Sequence, residues 1–413
     1  MDTKHECEFF ATCLPGTEGL LADELRGLGV RKVRPLAGGA AFFGRPEMAL
    51  RVCLWSRLAG RVNTVLGRVG AADADELYAG ARALAWEEEI APGASIAVRT
   101  DGTNRALRNT QFTALEVKDA VCDRLAEARG GRPDVDAHRP DALIEVRLRE
   151  GRATIALDLS GASLARRSYL SEADGSGAPV AVAQAAALLA ALGAGAALKA
   201  GWGLFDPACD DGFLVTEAAS LLSDQAPGLL RDRWGLAGWA RCDEDVWAAL
   251  LDEADGRFEA GLARVLGAAP AAEATSAAPD QRTVRIVGLS ASSPAVARAR
   301  GHLRTAGLRA VASVDGHCGW GRVGGLCPRG PGSSGAGGRS RRRPAAPLPL
   351  PRRGHALSLP RGNGRCFCGG AHRCDCLRRA RFRAGRGDAE AGRRAPSAPA
   401  RARQTDRRRQ RPR

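Results

Sequence analysis

The stretch with the clearest chemistry is Asp206-Pro207-Ala208-Cys209-Asp210-Asp211-Gly212-Phe213. The short run Trp202-Gly203-Leu204-Phe205 leads into it, and Leu214, Ala218, Leu221 and Leu222 recur beyond it at helical spacing. Strand, loop and helix in that order open a doubly wound α/β domain, whose loop meets ligand at the carboxyl end of the strand. Such loops use glycine where the backbone turns sharply and aims amide N–H groups at a ligand. The same residues also read as a surface turn capping the next helix. A second constellation, Cys366, Cys368, His372, Cys374 and Cys376, offers zinc-type ligands. Its one-residue gaps are shorter than structural zinc sites use, so no metal is expected.

Composition bounds the elements that must position this loop. The 413 residues leave room for two or three domains with a sizeable core. The net charge of +15 suggests a nucleic-acid binder, but it is unevenly placed. Of 61 Lys and Arg and 46 Asp and Glu, 25 (all Arg) and 4 fall from Gly316 onward, so the rest holds 36 basic and 42 acidic residues. The basic character therefore belongs to the tail. No apolar run is long enough to span a membrane, and the start Met1-Asp2-Thr3-Lys4-His5-Glu6 has no signal-peptide pattern. Twelve cysteines, mostly single and within apolar segments such as Val52-Cys53-Leu54, read as reduced thiols of a cytoplasmic protein.

Periodicity places the elements. Phe9 to Leu14 reads as a strand, and Pro15-Gly16-Thr17 opens a helix carrying Leu21, Leu25 and Leu28. Val33 to Phe43, broken at Gly38-Gly39, predicts a hairpin. Pro46 opens a helix with Met48, Val52 and Trp55 on one face; Val62 to Val69 predicts a strand, Asp75 to Trp86 a helix, and Ser95 to Thr100 a strand. A helix is expected over 109–128, with Val117, Val121 and Leu125 stacked. Ile144, Val146 and Leu148, then Ile155, Leu157 and Leu159, alternate as a hairpin about Glu150-Gly151. Further on, Asp243 to Val265 reads as one or two helices, Leu266 to Asp280 as a linker, and Val284 to Ser290 as a strand. Ser293-Pro294 caps a helix ended by Gly307, and Ala310 to Asp315 reads as a third strand.

These landmarks resemble the bacterial 23S rRNA guanine-N2 methyltransferases, class I S-adenosylmethionine-dependent enzymes with a THUMP domain. The likeness is carried by Leu54-Trp55-Ser56-Arg57-Leu58, Leu107-Arg108-Asn109-Thr110-Gln111, Val117-Lys118-Asp119-Ala120 and Ile155 to Gly161, then by Asp224 to Leu229 and Arg233 to Trp239. It covers about three quarters of the chain. The Asp206 loop resembles the Asp-Pro-x-Cys-Gly-Ser-Gly-Thr form of the first cofactor motif, matching four of seven defined positions. The resemblance implies an α/β chain. A ferredoxin-like region (1–48) and a THUMP RNA-binding domain (49–162) precede an incomplete Rossmann-like methyltransferase domain (163–315) and a disordered tail (316–413). It implies 23S rRNA as partner, with no membrane or protein partner, and S-adenosylmethionine as methyl donor to a guanine's exocyclic amine.

By resemblance, Asp206, Pro207, Ala208, Cys209 and Gly212 hold the cofactor, and Asp315 faces its adenine amine, unless it is only a turn residue before Gly316. Arg57, Arg61, Arg108, Gln111 and Lys118 become RNA contacts, since cations neutralise phosphate and amide or guanidinium groups read edges or riboses. Each also has a plain reading as a solvated or ion-paired side chain. No catalytic residue is assigned.

The chain departs from the family at several points. A non-glycine residue at positive φ costs about 1–2 kcal/mol. A carboxylate about 4 Å from the cofactor's own costs about 1 kcal/mol in water and about 4 at an effective dielectric of 20. Asp210, Asp211 and Phe213 therefore weaken cofactor binding by roughly a hundredfold. Leu289-Ser290 stands where an acid normally accepts from the ribose hydroxyls. Ala178-Pro179-Val180-Ala181-Val182 replaces an Ala-Pro-Leu-Lys-Glu run, which predicts a buried, structural helix. No Asn-Pro-Pro-Tyr motif occurs anywhere. The alternatives are an inactive THUMP RNA-binding protein, or a product whose reading frame shifts near codon 316, the Arg-rich tail being out of frame or itself an RNA binder.

Overall fold

The computed structural model describes residues 6–267 and 286–316. The expectations for the tail, including its cysteine and histidine cluster, and for most of the linker lie outside these residues. In chain order the elements are β1 (Cys7–Thr12), α1 (Glu18–Gly27), β2 (Lys32–Leu36), β3 (Gly39–Gly44), α2 (Pro46–Trp55), β4 (Val62–Gly70), α3 (Ala74–Arg82), α4 (Trp86–Glu89), β5 (Ile96–Asp101), α5 (Thr110–Arg129), β6 (Ala142–Arg149) and β7 (Arg152–Asp158). There follow α6 (Ala178–Ala191), α7 (Ala194–Lys199), β8 (Leu204–Asp206), α8 (Phe213–Leu222), α9 (Glu244–Leu266), β9 (Ile286–Ser290), α10 (Ser293–Thr305) and β10 (Ala312–Gly316).

The first seven strands form one sheet in the order β2-β3-β1-β4-β7-β6-β5. Its β1-α1-β2-β3-α2-β4 part is the ferredoxin-like arrangement, and β4 continues it by pairing β1 on one side and β7 on the other. Helix α2 runs through position 48/49, where the sequence suggested a domain boundary. One expected helix, Asp75 to Trp86, is two: Ala83, Leu84 and Ala85 separate α3 from α4, and the Trp86 indole turns back to donate to the Ala81 carbonyl (2.7 Å). The β6–β7 hairpin turns at Glu150, which takes φ +52°.

The core of this sheet does not close on residues before 165. Trp239 is buried, edge-on to Phe9 at 6.3 Å, and bridges Ile90. Gly238 lies so close to Asp141 that an added Cβ would be 2.4 Å from its carbonyl oxygen. Chain that follows β8 therefore completes the amino-terminal core.

The second sheet is parallel, in the order β10-β9-β8, with α8 and α10 following β8 and β9. Helix α6 differs from the expected buried element. It packs against α8 through Val182, Ala185, Ala186 and Leu189, while Val180 and Leu188 stay about half exposed. Among the described residues no helix is long and apolar enough to cross a membrane.

Candidate functional site

Because the three strands of the second sheet are parallel, Asp206, Ser290 and Asp315 all stand at their carboxyl ends, the ligand edge of a doubly wound fold. The loop from Asp206 to Gly212 is tightly determined. The Asp206 carboxylate accepts from the Ala208 amide (3.1 Å), the Cys209 amide donates to the Leu289 carbonyl (2.9 Å), and the Gly212 amide to the Cys209 carbonyl (2.6 Å). Gly212 is at φ +72°, and a Cβ there would lie 2.6 Å from that of Ala299. Only glycine fits. Asp210, where the related motif has glycine, adopts φ +41° with its side chain exposed. The backbone path of a glycine loop is thus kept by an aspartate under strain.

The loop's charges are partly managed. Arg298 donates to one Asp211 oxygen through Nε (2.9 Å) and Nη2 (2.6 Å). Partial burial raises the Asp206 carboxyl above its usual range, and neighbouring Asp210 adds to this. Burial, with the Asp206 and Asp210 charges, pushes the Cys209 thiol up to about 11, which makes it a packed, unreactive group. Ser290 is buried, and its hydroxyl accepts from the Ser292 amide (3.2 Å) ahead of α10. Asp315 pairs with Arg300 at 2.8 Å. The loop and Asp206 thus suit a small ligand bearing a cationic group, whereas the β9 end offers no carboxylate to a ribose diol.

A second candidate lies on the first sheet. A groove of about 780 Å³ opens between β5, the start of α5 and residues 135–140. Arg61, Gln111 and Lys118 line it together, with Arg99, Thr100 and His138. Arg61 pairs with the buried Asp158, Arg99 with Glu145, and Lys118 with Asp119 (2.7 Å). These carboxylates fix the cations in place and cancel much of their long-range field. Burial raises the Asp158 carboxyl in spite of the Arg61 charge. The Thr100 hydroxyl is buried with no hydrogen-bond partner among the described residues. Exposed Leu115 and Val135 add apolar rim. Fixed donors beside apolar surface suit a nucleobase and ribose as well as a phosphate.

Two of the five expected RNA contacts are elsewhere. Arg108 is exposed before α5 and donates to the Arg105 carbonyl (2.9 Å). Arg57 is a correction. Its side chain is 15% exposed and donates to Ser220 Oγ (3.1 Å) and the Gln225 carbonyl (2.6 Å), 3.7 Å from Glu217. Burial lowers its guanidinium pKa against the opposing pull of Glu217. Glu217 also takes two bonds from buried Arg167 (both 3.1 Å) and one from the Tyr169 hydroxyl (3.0 Å). Burial alone would raise the Glu217 carboxyl, but Arg167 and Arg57 outweigh it and hold it below the usual range. Arg57 therefore ties α8 to the first sheet. Sequence reasoning missed Arg167, Glu217, His302 and Asp174, whose partners lie far along the chain.

Residues 8–63 match the RlmL ferredoxin-like domain and residues 71–158 the THUMP domain. The chain is 41% identical over 311 residues to the ribosomal RNA large subunit methyltransferase K/L of Syntrophotalea carbinolica, covering 73% of this chain and 40% of that protein. It is 39% identical over 305 residues to the same-named protein of Aeromonas hydrophila, covering 73% and 39%. Among solved structures it resembles a putative methyltransferase complexed with SAH, at 25% identity and a TM-score of 0.61 over 76% of both chains. The chain spans about two fifths of the length of these curated relatives. The chain thus carries an RlmL-type ferredoxin-like domain and a THUMP domain, and over the part it shares with them it is similar to these methyltransferases.

Proposed function

We propose that this chain serves rRNA methylation, the groove holding large-subunit RNA and the Asp206 loop holding S-adenosylmethionine. The finer reading is transfer to the exocyclic amine of a guanine in 23S rRNA. The observation that carries the proposal is the meeting of Arg61, just ahead of β4, with Gln111 and Lys118 of α5 in one groove lined mainly by the THUMP-matched region. The SAH-bound neighbour supports the cofactor. Among this chain's residues, the loop backbone through Gly212 and the Asp206 carboxylate fit the cofactor, the carboxylate as acceptor for its ammonium. Ser290 does not replace a ribose-binding acid. When bound, S-adenosylmethionine supplies an electrophilic methyl group; the residues described hold and orient it.

The domain limits inferred from sequence (1–48, 49–162, 163–315, 316–413) remain part of this proposal in modified form, with Trp239 shared by the first two. A second reading, RNA binding without methyl transfer, is favoured by strained Asp210, engaged Ser290 and paired Asp315. Filter binding of the full chain to 23S rRNA fragments across a salt series tests the RNA role. Saturable, salt-sensitive binding weakened by Lys118→Ala and Gln111→Ala is expected. Binding unchanged in both variants overturns the groove assignment. Calorimetry with S-adenosylmethionine separates the two readings, because a low-micromolar dissociation constant removes the second.

A further inference from the structure

His302 on α10 is almost fully buried and makes two polar contacts at the same distance. Its Nδ1 is 2.9 Å from the Asp211 carbonyl oxygen in the loop, and its Nε2 is 2.9 Å from Asp174 Oδ1. Asp174 ends a short 3-10 turn (Glu172–Asp174), and its other oxygen accepts from the Ser171 amide (2.7 Å) and hydroxyl (2.8 Å). The imidazole is stacked on Phe213 at 5.3 Å and tilted against Tyr169 at 5.5 Å. Among the described residues no other charged group contacts the ring directly. The Asp211 carboxylate is tied to Arg298 on the same helix, and the Tyr169 hydroxyl faces Glu217 and, behind it, Arg167.

A backbone carbonyl and an ionised carboxylate can only accept. Burial alone would raise the Asp174 carboxyl, but the bonds from Ser171 and His302 outweigh it and hold it below the usual range, so it is ionised. Both contacts are therefore hydrogen bonds only when both ring nitrogens carry hydrogen. A neutral ring would set one nitrogen lone pair against an oxygen lone pair.

We infer that His302, as a doubly protonated cation, is a positioning residue that pins the Asp211 backbone to the Asp174 turn and so fixes the 206–212 loop. The inference rests on the cofactor reading only for what the loop holds. Loss of either ring hydrogen would break one of the two bonds, so loop order is sensitive to the protonation of the ring. Asp174→Asn distinguishes this from mere packing. The asparagine oxygen can accept from Ser171 while its amide N–H₂ donates to a neutral ring, so the variant no longer needs the cation.

The test is hydrogen exchange of the 209–213 amides on the full chain at pH 6 and pH 8, corrected for intrinsic rates. Wild type should lose about tenfold protection at pH 8, as expected for one lost charge-assisted bond. Asp174→Asn should keep its protection at both values. Equal pH dependence in the two proteins, or none in wild type, overturns the inference. Nitrogen-15 spectroscopy of wild-type His302 is a second check, independent of the variant's folding. Two ring N–H groups while the loop is protected support the clamp, and one overturns it. S-adenosylhomocysteine titrated in parallel separates the readings: no binding, with the exchange pattern intact, removes the cofactor reading and leaves the clamp standing.

Discussion

Arg57→Ala separates structure from RNA contact most directly. The side chain donates to the Gln225 carbonyl at 2.6 Å and Ser220 at 3.1 Å, and stands 3.7 Å from buried Glu217. Truncation removes a charged donor from a buried carbonyl, a loss of about 1.5–3 kcal/mol. It also removes one of two cations beside Glu217, and breaking a buried pair costs about 3–5 kcal/mol when nothing compensates. Arg167 keeps its two bonds to Glu217, so the second loss is partial. The expected total is therefore about 3 kcal/mol, and Arg167→Ala should lose more. Equilibrium urea unfolding reads the stability. Filter binding under conditions where the variant remains folded reads RNA affinity, which should stay within about twofold of wild type. A variant as stable as wild type with RNA affinity down tenfold would refute the structural role.

Lys118→Ala should lower RNA affinity at all sequences and reduce the salt slope by about 1, whereas Arg108→Ala, outside the groove, should change neither beyond error; filter binding in a salt series reads both. Asp210→Gly relieves a positive-φ aspartate and removes a loop charge, so S-adenosylmethionine affinity should rise about tenfold in calorimetry. Gly212→Ala should destabilise by roughly 2–5 kcal/mol through backbone strain and the 2.6 Å clash with Ala299, read by urea unfolding. Glu217 has its folded pKa depressed, so it stabilises above its unfolded value of about 4.3 and that stability is lost as pH falls through the folded value. Glu217→Gln should flatten that acid limb while lowering stability near neutral pH. A chain cut at residue 165 lacks Trp239 and should expose the cleft beside Phe9 and Ile90, giving dye-binding or aggregated protein instead of a cooperative unfolding transition.

Most elements were legible in the sequence, because periodicity reports which face of a helix or strand is buried. The hairpins at Gly38-Gly39 and Glu150-Gly151, the Pro46 and Ser293-Pro294 helix starts and the Asp206 strand-loop-helix all follow from local rules. The loop's own chemistry was equally readable, since turn geometry depends on residues adjacent in the chain. What remained hidden depends on contacts between distant segments. Arg57 and Lys118 look alike as cations flanked by helix; only tertiary packing sends the first to Glu217, far along the chain, and leaves the second in a groove. Trp239 reads as a landmark far from Phe9, yet it fills the same core. His302 carries no local signal, being one histidine on a helix face, and gains its partners because α10 packs against both the Asp211 loop and the Asp174 turn. Sequence thus determined which segments form and which loop stands at the carboxyl edge of the second sheet. Tertiary structure decided which charges are buried between elements and which line an open groove, since burial and pairing are set by what packs opposite.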